Sequence, residues 1–120
     1  MLNGGTSMGK PIVAQFYYFP GDLRRYKGII IRKEDVEAVG AKIGVKVTYK
    51  IAPRGAAGPI SALLFKHYMI ETATITVEGD DEEKVKEAIR EIVKVYGKPN
   101  VDFGMKGAKL VKQVVKEMGL

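Results

Sequence analysis

The chain has 120 residues, 46% of them hydrophobic, with no cysteine, one histidine and a formal net charge of +6. This is one domain with enough apolar content for a core, and it excludes disulfides, thiolate nucleophiles, iron–sulfur clusters, Cys-type zinc sites and histidine-rich metal centres. No apolar run approaches the roughly 20 residues of a membrane span and no secretory h-region is present, so a cytoplasmic protein without membrane contact is expected.

Residues 1–10 are small and polar without periodicity and read as a disordered leader or cloning remnant, with Met8 as an alternative start; residues 11–120 are the expected domain. "IVAQFYYF" (12–19) is β-branched and aromatic and stops at Pro20 and Gly21, a central strand followed by a turn. "LRRYKGIII" fits both a helical turn over Leu23 to Lys27 and an extended stretch at Ile29 to Ile31, and is left irregular. From Lys33 to Ile43, Val36, Val39 and Ile43 recur at helical spacing, Glu34 and Asp35 suit the positive N-terminal end, and Gly44 ends the helix. Gly40, inside that helix, weakens it by about 1 kcal/mol relative to Ala. "VKVTYKIA" alternates: Val45, Val47, Tyr49 and Ile51 point one way, Lys46, Thr48 and Lys50 the other. After a Gly-Pro loop, "ISALLFKHYM" is a short helix, and "TATITVE" is a strand with Ala73, Ile75 and Val77 inward and Thr72, Thr74 and Thr76 outward. Val85, Ala88, Ile89, Ile92, Val93 and Tyr96 form the stripe of a long amphipathic helix, opened by a box of Asp80 with Glu83 and stopped by Gly97 and Pro99. "VDFG" (101–104) is a short strand, and Ala108, Val111, Val115 and Met118 define a last helix.

Without the short inserted helix and the C-terminal helix, the order is βαββαβ, an α+β ferredoxin-like arrangement of an antiparallel sheet with helices on one face. The face without helices would then present Lys46, Thr48 and Lys50 beside Thr72, Thr74 and Thr76, with Gln15 and Tyr17. Cations around an aromatic on an open sheet resemble the layout of RNA-recognition-motif proteins, although their glycine-aromatic signature is absent. The same face suits stacking against a second copy, giving a homo-oligomer.

Residues 1–59 hold ten Lys/Arg against Asp22, Glu34, Asp35 and Glu37, whereas residues 60–120 hold ten of each sign, so the whole positive excess lies in the first half. That favours polyanionic partners. The interspersed Lys and Glu of the second half fit a thermophile's surface ion-pair network and equally any solvated helix face. The densest basic cluster is Arg24, Arg25 and Lys27 around Tyr26, suited to phosphate pairing and base stacking. In "KIAPRGAAGP", Gly55 and Gly58 form a GxxG. This spacing and the order downstream, over about residues 55–96, resemble KH domains, which clamp a nucleic-acid backbone there. A strand rather than a helix leads into this GxxG, and Pro59 follows it, so a plain strand-to-helix turn is the competing reading. Arg54 with the loop up to Ile60 is also a candidate anion site.

No P-loop or dinucleotide fingerprint occurs, and no cofactor is implied. The acidic run Asp80 to Glu83 is explained by helix capping, and His67, Glu71 and Asp102 would form an acid–base site only by converging in space. The expectation is a non-enzymatic protein contacting RNA or DNA through Arg24, Arg25, Lys27, Lys46, Lys50, Arg54, Gly55 and Gly58, with Tyr17 and Tyr26 for stacking. The alternative is an oligomeric regulatory domain holding an anionic small molecule at Arg54 to Ile60.

Overall fold

A computed structural model describes residues 10–54 and 70–120. The elements are β1 (Ile12–Tyr18), α1 (Pro20–Asp22) running into a π-helical turn (Leu23–Lys27), α2 (Lys33–Ile43), β2 (Lys46–Arg54), β3 (Ile70–Gly79), α3 (Glu82–Tyr96) and α4 (Ala108–Glu117). The helix expected at "ISALLFKHYM", the glycines Gly55 and Gly58, and His67 lie outside the described residues.

The strands form a three-stranded sheet in the order β1-β3-β2, with both pairings antiparallel. Alternation sorts their side chains: Ala14, Phe16 and Tyr18 of β1, Val47 of β2, and Ala73, Ile75 and Val77 of β3 are buried. α2 lies over β2, α3 over β3 and β1, and α4 over β1, with α3 touching both of the other helices. Their stripes complete one core: Val36 from α2, Val85, Ala88, Ile89, Ile92, Val93 and Tyr96 from α3, and Val111, Val114 and Val115 from α4. Each fully buried aliphatic side chain contributes about 1.5–3 kcal/mol of transfer free energy, so this layer dominates stability. The long helix begins one residue later than the sequence suggests: Asp81 caps it, its carboxylate accepting from the Glu83 amide at 2.9 Å. Ion pairs join Glu91 to Lys94 at 3.2 Å and to Lys42 of α2 at 3.9 Å.

Two glycines set how closely helices approach strands. Gly40 is buried, and a Cβ there would stand 2.6 Å from the Val45 carbonyl oxygen and 2.7 Å from Val47 Cγ2. The residue that weakens α2 as an isolated helix is therefore the one that lets it sit on β2. Gly107 opens α4 at φ 67°, and a Cβ would overlap the Val13 carbonyl oxygen and lie 2.7 Å from Ala14 Cα. Both its conformation and its contact with β1 demand glycine.

Along the outer edge of β1 the "VDFG" segment departs from the expected strand. Tyr17 and Asn100 exchange backbone hydrogen bonds at 2.9 Å, forming one antiparallel bridge, and the next bond, from the Gln15 amide, reaches Lys106 instead. Between them the chain turns, the Met105 amide donating to the Asp102 carbonyl at 3.0 Å. Pro99 has no amide to give, and Gly104 and Asp102 favour a turn over pairing. Phe103, at the tip, is 93% exposed. No helix among the described residues is long and apolar enough to cross a membrane.

Candidate nucleic-acid interface

Helices cover one face of the sheet; register defines the other. Its rows run from β1 through β3 to β2 as Val13, Glu78, Lys46; then Gln15, Thr76, Thr48; then Tyr17, Thr74, Lys50. Residues in a row lie about 4.5–5.5 Å apart, close enough for one ligand to touch neighbours. Lys46, Thr48 and Lys50 are exposed, and Gln15, Tyr17, Thr74 and Thr76 are half-buried. Thr72, opposite Ala52, belongs to the same side but is only 1% exposed.

The β1 residues of this face are held in place. Gln15 Nε2 donates to Thr76 Oγ1 at 3.2 Å across the strands. The Tyr17 hydroxyl donates to Asp102 Oδ1 at 2.7 Å, and its ring meets Phe19 edge-on with centroids 5.5 Å apart. This bond fixes the ring and also pins the turn that carries Phe103. Asp102 therefore partners Tyr17 and belongs to this face; His67, the third residue of the expected acid–base set, lies outside the described residues. Among the described residues no three His, Asp or Glu side chains are grouped to hold a metal.

The remaining candidate residues gather at one end of the sheet, where β1 and β2 finish and β3 begins. Arg24 and Arg25 are exposed on the π-helical turn just past β1. The Arg25 guanidinium lies 6.0 Å from the centroid of the Tyr26 ring, which is 73% exposed. Arg24 shares a shallow cleft with Asp22 and Glu71. Lys50 is in the last open row toward this end, and the backbone of Arg54 closes β2; Gly55 and Gly58 are beyond the described residues. Lys46 is at the opposite end of the same strand face, opposite Glu78 and two rows from Lys50.

Lys27 turns away from its neighbours. Its ammonium lies against Gly97, at the C-terminal end of α3, where the helix dipole and free carbonyls favour a cation. Beside it the Tyr18 hydroxyl donates to the Gly97 carbonyl at 2.6 Å. Burial, with a smaller contribution from Tyr96, pushes the Tyr18 hydroxyl's pKa well above its ordinary value, so it stays a neutral donor. Burial first, then the Glu71 carboxylate, likewise raises Tyr49 on the helix-covered side.

Sequence reasoning missed Phe103 and the lysines of the C-terminal region. Five lysines, at 98, 106, 109, 112 and 116, stand against Asp102 and Glu117 there, and the spacing of Lys109, Lys112 and Lys116 marks one helix face. Summing charge over residues 60–120 hid this local excess behind the acidic start of α3.

Compared with family models, curated proteins and solved structures, the chain matches none.

Proposed function

We propose that this protein binds single-stranded nucleic acid on the open sheet face and the adjoining basic end. The observation that carries the reading is the strand register. It gathers Lys46, Thr48, Lys50, Thr74, Thr76, Gln15 and Tyr17 on the side opposite the helices. Arg24, Arg25, Lys46 and Lys50 meet phosphates, while the threonines and Gln15 offer hydroxyl and amide groups to bases. Tyr17 supplies a ring fixed by Asp102, and Tyr26 and Phe103 supply exposed ones for stacking. The fold assigned with this reading is the ferredoxin-like βαββαβ order: the Asn100 bridge stands on the free edge of β1, where a fourth strand belongs. We read the Glu91 pairs, one of which ties α2 to α3, as part of a thermophile's surface network in a cytoplasmic protein.

Fluorescent single-stranded RNA and duplex DNA, titrated at two salt concentrations, test the proposal. About four phosphate contacts to a single strand give a logarithmic salt slope of about −2.8, a loss of about fifty-fold between about 50 and 200 mM. Binding that is absent or insensitive to salt removes the reading.

A second reading is favoured by the edge of β2. Among the described residues no strand pairs with its outer side, and Ile51 there is 46% exposed. On that reading the sheet extends or stacks against a second copy, and an anionic small molecule binds at Arg54 to Ile60. It predicts a dimer on a sizing column and stabilisation by phosphate; a monomer indifferent to phosphate removes it.

A further inference from the structure

A cleft between residues 98–101 and α4 lies beyond the free edge of β1 and contains none of the residues assigned above to the open sheet face. It encloses about 400 Å³ and is lined by Lys98, Pro99, Asn100, Val101, Lys112, Val115, Lys116 and Leu120. That volume falls in the range of small-molecule sites. Its lining is divided: Pro99, Val101, Val115 and Leu120 are apolar, and three lysines come from two different segments, Lys98 from the chain before Pro99 and Lys112 and Lys116 from α4. None of the three lysines forms an ion pair among the described residues, and the nearby Glu117 accepts from Gln113 Nε2 at 3.2 Å.

Both walls are tied to the core. On one side Asn100 is fixed to β1 by the exchanged backbone bonds with Tyr17, and its side-chain Nδ2 donates to the Tyr17 carbonyl at 3.3 Å. On the other, Val111, Val114 and Val115 anchor α4 in the core, and the close seating of Gly107 on β1 fixes where the helix starts. A site held between such elements needs little ordering to bind.

We propose that this cleft binds a small amphiphilic anion, its head group at Lys98, Lys112 and Lys116 and its apolar body on Val101 and Val115. Lysines act as point charges without the planar fork of arginine, so the head group is any compact anion, a carboxylate or a phosphate monoester. An apolar tail distinguishes this ligand from inorganic phosphate and from a nucleic-acid backbone. The site uses none of the open face's side chains, so either can fail without the other.

The test is an amide chemical-shift titration of the whole chain with hexanoate and with hexyl phosphate, beside hexylammonium and inorganic phosphate. Saturable shifts confined to residues 98–101 and the second half of α4 are expected, with a dissociation constant of about 1 mM for a ligand of about eight non-hydrogen atoms. Hexylammonium should produce none of these shifts, and inorganic phosphate should bind at least about tenfold more weakly than hexyl phosphate. Lys112→Glu with Lys116→Glu changes two exposed positions of α4 and should weaken hexanoate about tenfold or more at unchanged helical signal. Shifts that do not saturate by about 20 mM, that map elsewhere, or that hexylammonium reproduces would overturn the proposal. So would unchanged hexanoate affinity in the double variant.

Discussion

Along β1, Ala14, Phe16 and Tyr18 are buried under helices, whereas Gln15 and Tyr17, one residue out of phase, face the open side with Thr74, Thr76, Thr48 and Lys50. The same strands thus make an apolar layer and a polar one, and the two are held by different means. Inside, interdigitated aliphatic side chains supply the stability. Outside, single hydrogen bonds, Tyr17 to Asp102 and Gln15 to Thr76, hold the orientation of side chains while leaving their neighbours exposed. A substitution on the first face should destabilise the protein, and one on the second should alter what it binds.

The largest effect expected is on the covered face. Ile89→Ala, which opens a cavity at the centre of α3's stripe, should cost about 2–5 kcal/mol by denaturant unfolding, whereas Lys50→Glu should stay within about 0.5 kcal/mol of the parent. Comparable costs from the two would erase the distinction between the faces. Next come the close approaches. Gly40→Ala gains about 1 kcal/mol of helix propensity but drives a methyl into the Val45 carbonyl and Val47, so a net loss of about 1–3 kcal/mol is expected. A more stable variant would show that α2 does not sit as tightly on β2 as the structure has it.

Smaller is the effect of Tyr18→Phe, which removes the donor to the Gly97 carbonyl and should cost about 0.5–1.5 kcal/mol near neutral pH. The pH dependence follows from the raised folded pKa. Above about pH 10 the unfolded chain gives up the tyrosine proton while the native state keeps it. Tyr18's contribution is therefore complete below that pH and declines as the pH rises toward its folded value. The gap between parent and Tyr18→Phe, followed by unfolding from pH 8 to 11, should narrow at the alkaline end; a constant gap would contradict the burial assigned to this hydroxyl. The smallest change in stability is expected from Phe103→Ala, because the ring is fully exposed at the turn. Stability should move by less than about 0.5 kcal/mol. Single-strand binding should weaken by about 1–3 kcal/mol if the ring stacks on a base. An unchanged affinity removes Phe103 from the proposed surface.

Local pattern explains which parts of this molecule were legible in advance. α2 and α3 have clean helical spacing, and β2 and β3 alternate strictly, so burial followed period closely in α3 and β3, with Thr72 on β3 and Ile51 on edge strand β2 as the exceptions. The open face could be named residue by residue for the same reason. The packing role of Gly40 was not legible because propensity speaks only for the isolated helix; its partners, Val45 and Val47, are in the next strand and the turn before it. The fourth strand was lost at Asp102 and Gly104, where turn chemistry outweighed the extended preference of Val101 and Phe103. Tyr17 and Asp102 are 85 positions apart, and nothing local announces their bond. Lys98 likewise joins Lys112 and Lys116 only after α4 has packed beside residues 98–101. Convergence of this sort is a property of the tertiary structure, and it decides both candidate sites.

The most direct measurement compares the parent with Lys46→Glu/Lys50→Glu for binding of a fluorescent single-stranded RNA at about 50 mM salt, with unfolding followed on the same samples. If the open face binds, the double variant should lose at least about tenfold in affinity and have a shallower salt slope, while its unfolding midpoint stays with the parent's. Equal affinity in two equally stable proteins would contradict the assignment of function to this face.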